Sequence, residues 1–113
     1  MAEFLIKNRS GFGLSHHRDG DGEVVLSVFG ELDKATAPLL LETVGVALDG
    51  EGTVVLDLAG MTFIDSQGIK VLVEAHKRAQ LDRVRRVVLR SPQPQARKVL
   101  EMTGLAKLLT VED

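Results

Sequence analysis

A chain of 113 residues holds one domain's worth of core, enough to bury about two thirds of the surface its unfolded form exposes. With 44% apolar and 27% charged residues, a net charge of -2, four phenylalanines and neither tryptophan nor tyrosine, it lacks the cationic field and the stacking surfaces that nucleic acid recruits. It has no cysteine, which excludes disulfides and thiolate zinc sites, and no apolar run approaches the ~20 residues that span a bilayer.

The first residues, "MAEFLIKNRSG", carry no signal-peptide core, so the expectation is a cytoplasmic protein with no membrane and no direct nucleic-acid partner. "GFGLSHHRDGDGEVVLSVFGELD" reads as two strands joined by the turn "DGDGE", where Asp-Gly pairs supply the positive φ angles a tight hairpin needs. The second of these strands spans roughly Glu23 to Phe29. From Ala35 onward, Ala37, Leu40, Leu41, Val44 and Leu48 recur at helical spacing, with Pro38 in the first turn, where its missing N–H costs least. "GEGT" ends that helix, and "TVVLDLAGMTFID" follows as a strand. Its run Val54 to Leu58 is apolar apart from Asp57, the pattern of a strand covered on both faces.

After Asp65 the period changes to helical, with a stripe at Ile69, Leu72, Val73, His76 and Ala79. "RRVVLRS" is the next strand, and its cluster Arg83, Arg85, Arg86 and Arg90 reads as a solvated strand edge. "SPQPQARKVLEMTG" is a helix with prolines before its start and Gly104 at its stop, and "LAKLLTVED" fits either a helical turn or a short last strand. The order β, β, α, β, α, β, α predicts an α/β fold: a mixed, mostly parallel sheet with an N-terminal antiparallel hairpin and crossover helices. Right-handed crossovers then bring Asp65 and Ser66 to the carboxyl rim, where open α/β sheets place their sites.

Asp65 and Ser66 stand at a helix start, where either side chain can cap the unpaired N–H groups of the first turn. The same location suits a phosphate on Ser66, because a helix N-terminus concentrates partial positive charge. A serine hydrolase is disfavoured. "IDSQG" is not a G-x-S-x-G elbow, and an acid beside the hydroxyl opposes oxyanion formation. His16 and His17, on a predicted edge strand, point to opposite faces, and His76 belongs to the core or its boundary. No metal-ligand spacing and no nucleotide-binding loop occurs, so no catalytic residue, metal or cofactor is expected and a binding module is favoured over an enzyme.

"VFGELDKATAPLL" (Val28 to Leu40) and "VVLDLAGMTFIDSQGIKVLV" (Val54 to Val73) resemble the two signature regions of STAS domains, specifically the stand-alone bacterial anti-sigma factor antagonists. The later "SPQPQARKVLEMTGLAKLL" fits the same pattern, so the resemblance runs from about Gly22 to Leu109 and implies a single STAS domain over residues 1–113. It implies a partner switch in signal transduction and transcription regulation. Ser66 would be phosphorylated by an anti-sigma factor that is also a serine kinase, and a serine phosphatase would remove the phosphate. The unmodified protein would bind the anti-sigma factor and free sigma, while the phosphoprotein would let go. Such relatives are monomers when free.

The same resemblance carries partner contact to Asp33, Asp65, Ser66, Gln67, Gly68, Ile69, Lys70 and Val71, with Leu72 shared between docking helix and core. Asp33 and Asp65 would present the serine to the kinase, and each has a plainer role as a helix cap. Two positions depart from the common D-S-S-G-L-G: Gln67 removes a second phosphoacceptor, and Lys70 places a long cation where relatives offer bare backbone. The sequence also ends at Asp113, short of the longer C-terminal helix of many relatives. Lys70 keeps an alternative open, a STAS module that binds a small anion, nucleotide or lipid, or scaffolds a signalling assembly, without phosphotransfer.

Overall fold

A computed structural model of the chain describes residues 3–7, 11–18, 22–49, 52–81 and 86–113. In chain order the elements are β1 (Glu3–Lys7), β2 (Gly13–Arg18), β3 (Val24–Leu32), α1 (Ala37–Leu48), β4 (Thr53–Ile64), α2 (Ser66–Leu81), β5 (Arg86–Arg90), α3 (Pro94–Met102), α4 (Leu105–Leu108) and β6 (Thr110–Glu112). The six strands lie side by side in sequence order. The pairs β1–β2 and β2–β3 are antiparallel, and the three that follow are parallel. This is the mixed, mostly parallel α/β sheet that the alternation of patterns predicts.

Several details differ from the sequence expectation. Because β1 pairs with β2, the strand carrying His16 and His17 lies inside the sheet and is not an edge. The tail forms both of its alternatives: Gly104, at φ 79°, reverses the chain after α3, and α4 and β6 follow. Helix α1 begins at Ala37, the first position of the apolar stripe and two residues after Ala35, because Asp33 to Thr36 form a separate turn. Part of the "DGDGE" turn, part of "GEGT", and Arg83 and Arg85 lie outside the described residues. Of the remaining arginines, Arg86 is exposed, and Arg90 Nε donates to Glu112 Oε1 at 2.7 Å.

Alternating strand positions, among them Leu26, Leu56 and Leu89, join Leu40 of α1, Leu72 of α2, Leu100 of α3 and Leu105 of α4 in one core. Each such side chain taken out of water contributes about 1.5–3 kcal/mol. Among the described residues the intervening positions bury a stripe of Val25, Val55 and Val88, which are cross-strand neighbours. So β4 is not covered by helices on both faces as its apolar run predicts. All four described helices contribute side chains to the same core, and Val55 is buried within the valine stripe instead.

Over its pairing with β3, from Val54 to Ile64, strand β4 takes up two extra residues. Ser27 and Phe29 face Asp57 and Gly60, and Gly30 and Glu31 face Met61 and Phe63. Such bulges bend and twist a strand, and these two lie on the approach to the rim. Gly30 belongs to the same irregularity: its φ is 86°, and a Cβ there would stand 2.9 Å from the Gly11 carbonyl oxygen.

Candidate functional site

At the rim, β3 and β4 end side by side, and the Asp65 N–H extends their ladder by donating to the Leu32 carbonyl (3.2 Å). Helix α2 starts at the next residue, Ser66. Asp65 Oδ1 accepts hydrogen bonds from the N–H groups of Gln67 (2.8 Å) and Gly68 (3.1 Å). That is N-capping geometry, and it assigns the cap to Asp65. Ser66 is therefore not needed for it. Its side chain is exposed, and its hydroxyl takes part in none of the described hydrogen bonds.

Gly68 explains how the helix start comes so close to the sheet. A Cβ at this position would lie 2.6 Å from Ile64 Cγ1 and 2.9 Å from the Leu32 carbonyl oxygen. With only hydrogen there, the first turn of α2 rests directly on the ends of β3 and β4. The buried face of α2 is accordingly Gly68, Val71, Leu72, Ala75 and Ala79, while Ile69, Val73 and His76 from the predicted stripe are half-buried.

Asp33 makes a parallel arrangement at the end of β3. Its Oδ1 accepts from the N–H groups of Ala35 (3.0 Å) and Thr36 (3.2 Å). Thr36 Oγ1 lies 2.8 Å from the Glu31 carbonyl oxygen and 3.2 Å from Asp33 Oδ1, and it accepts from the Asp33 N–H (2.9 Å). The Thr36 side chain is 2% exposed, so this hydroxyl is wholly absorbed into the turn.

The residues carried over by resemblance thus divide. Asp33 and Asp65 line one open cleft of about 540 Å³ together with Lys34 and Ala35. Gln67, Lys70 and Val71 line a second, between α1 and α2. Ser66 is exposed at the start of α2, Ile69 is half-buried, and Gly68 and Val71 are buried against the fold. No group of three or more His, Asp or Glu side chains suited to a metal occurs among the described residues. No helix among them is long and apolar enough to cross a membrane.

Two glutamines that the sequence pattern did not single out hold this rim in place. Strand β5 pairs with β4 only as far as Asp57, which leaves the rest of β4 without a strand on that side. Gln93 Nε2 donates to the Ala59 carbonyl (2.6 Å). Gln95 makes two bonds to Ile64, accepting from its N–H at 3.1 Å and donating to its carbonyl at 3.2 Å. A side-chain amide here substitutes for a missing strand, one residue before Asp65.

Comparison with known proteins bears on the whole arrangement. The family model described as the STAS domain matches residues 15–113. Anti-sigma-F factor antagonist RsfB of Mycobacterium tuberculosis is 42% identical over 55 residues, 48% of this chain and 45% of that protein, so the match spans under half the length of this curated relative. The crystal structure of an anti-sigma factor antagonist from Mycobacterium paratuberculosis superposes with a TM-score of 0.77 at 30% identity, covering 95% of this chain and 90% of the other. The Bacillus cell fate determinant SpoIIAA in its phosphorylated form shares the fold, with a TM-score of 0.67 at 22% identity over 87% of this chain and 89% of that one.

Proposed function

The chain belongs to the STAS-domain family, and from that premise we propose that it is an anti-sigma factor antagonist that works by partner switching, with Ser66 as its phosphoacceptor. The observation that carries the reading is the division of labour at the start of α2. Asp65 caps the helix through Gln67 and Gly68, and the Ser66 hydroxyl is left exposed beside it. A phosphate there adds about -1.5 to -2 charges and three acceptor oxygens at the positive end of a helix. The modification leaves the cap in place.

In this reading the partner is an anti-sigma factor with serine kinase activity. The kinase transfers the γ-phosphoryl group of ATP to Ser66 Oγ, and ADP and the hydroxyl proton leave. A serine phosphatase reverses the step by hydrolysis. Asp33 and Asp65, on one cleft at the rim, present the serine to the kinase. The chain itself turns nothing over, in keeping with the non-catalytic role of the family's antagonists. A hundredfold loss of partner affinity needs only about 2.7 kcal/mol, within the range of one new charge in a desolvated interface.

The test is a binding series. The Ser66→Ala chain serves as bait, the recovered kinase is purified, and dissociation constants are measured for wild type, Ser66→Ala and Ser66→Asp. Ser66→Ala is expected to bind like the unmodified protein and Ser66→Asp about a hundredfold more weakly. Equal affinities for all three would contradict the switch.

A further inference from the structure

The groove between α1 and α2 is lined on the α2 side from Gln67, the residue after Ser66, and has a volume of about 370 Å³. Ala37, Pro38 and Leu41 on one wall and Val71 on the other make it largely apolar. Lys34 and Lys70 line it from opposite sides, and both are exposed. The carboxylate of Glu74, farther along α2, also lines it and lies 3.5 Å from Arg78 Nε, a half-exposed pair that offsets part of its charge within the helix. Toward the start of α2 the charged groups lining the groove are thus Lys34 and Lys70, beside the neutral amide of Gln67, with Glu74 at the far end already sharing its charge with Arg78. The groove's complement is an apolar side chain flanked by carboxylates on a protein segment.

Ser66 and Lys70 are four residues apart on α2, a spacing that puts two side chains on one helix face with Cβ atoms about 5–6 Å apart. Resting on the reading of Ser66 as the phosphoacceptor, we propose that this groove seats an acidic, apolar-anchored segment of the partner protein. Phosphate on Ser66 pairs in cis with Lys70 and withdraws that cation from the segment. Phosphorylation then weakens docking in two ways. The new charge repels the segment's carboxylates, and the lysine that would have met them is already engaged. Glycine at position 70 could supply only the first effect, so Lys70 sharpens the switch in this chain.

The experiment uses the full chain with phosphoserine incorporated at position 66 during synthesis. Phosphorus NMR should show the second ionisation of the phosphate about 0.3 unit lower in the Lys70 chain than in Lys70→Ala. Superimposable titration curves would overturn the cis pairing. For docking, the probe is a fluorescent helical peptide with two leucines one turn apart flanked by glutamates, compared with the same peptide carrying lysine for each glutamate.

The glutamate peptide should bind the unmodified chain and lose about threefold in affinity in Lys70→Ala. It should lose more with phosphoserine, and the effect of the phosphate should shrink in the Lys70→Ala background. Equal or better binding of the lysine peptide, or indifference of the glutamate peptide to Lys70→Ala, would overturn the groove assignment. Because the phosphate is built in and not added by a kinase, a chain that no cell extract phosphorylates would sink the proposed function while leaving these curves as measured.

Discussion

The turns that follow β3 and β4 are built from the same parts and use them differently. Each places an aspartate at the end of a parallel strand and a hydroxyl residue shortly after it, and in each the aspartate Oδ1 accepts two backbone N–H groups of the next turn. After β3 the hydroxyl of Thr36 is buried and bonded to Asp33 and Glu31. After β4 the hydroxyl of Ser66 is exposed and bonded to nothing described. A polar group that the fold consumes cannot be modified without dismantling it. One that the fold leaves out is available to another protein.

The largest effect on this comparison should come from Gly68→Ala. The added methyl meets Ile64 Cγ1 at 2.6 Å and the Leu32 carbonyl oxygen at 2.9 Å, so α2 must move away from the sheet. A loss of about 1–3 kcal/mol in denaturant unfolding is expected, along with weaker partner binding, because the presentation of Ser66 moves too. Unchanged stability would mean that the close approach is not required.

Paired hydroxyl deletions come next. Thr36→Val leaves the Asp33 N–H without its acceptor in a partly buried turn and should cost about 1–3 kcal/mol, whereas Ser66→Ala should fall within about 0.5 kcal/mol of wild type. Comparable losses in the two variants would erase the distinction between the turns. Asp65→Ala removes the cap of α2 and should cost about 0.5–2 kcal/mol, with Asp65→Asn retaining most of the stability. Thermal unfolding of both variants at neutral pH checks this.

The smallest effect lies outside the rim. Burial in β2, with lesser contributions from the Arg18 and His17 charges, holds His16 below the usual histidine range. The unfolded chain therefore binds more protons at this position than the folded one between the depressed folded value and about 6.5. Stability should fall as pH drops through that window and level off below it, and His16→Gln should flatten the slope. A wild-type stability that rises on acidification over the same range, with the histidine as its source, would reverse the assignment.

How much of this could be read beforehand depends on whether the signal was local. The spacing of Leu40 and Val44, or of Leu72 and Ala79, marks α1 and α2 because a helix repeats within a few residues. The change of period at Asp65 located the helix start, and a run of ordered motifs carried the family. The choice of cap between Asp65 and Ser66 stayed open, since both side chains can reach the first turn and only geometry separates them. Gln95 bonds to Ile64 across 31 residues, and nothing in "SPQPQ" announces a strand substitute. The two extra residues in β4 are equally silent, because a bulge is a relation between strands and not a composition. The close approach at Gly68 belongs to the same class: the glycine is visible, but Leu32 beneath it comes from another strand.

The most direct test of the account is the site and consequence of phosphorylation. The purified chain would be incubated with magnesium, ATP and an extract of its source cells, beside Ser66→Ala and Thr36→Val, then measured by intact mass and thermal unfolding. One phosphate on the wild type and on Thr36→Val, none on Ser66→Ala, and a melting temperature little changed by the modification are the predicted results. A phosphate that persists in Ser66→Ala, or no phosphate where a control substrate is modified, would contradict the claim that the free hydroxyl at the start of α2 is the switch.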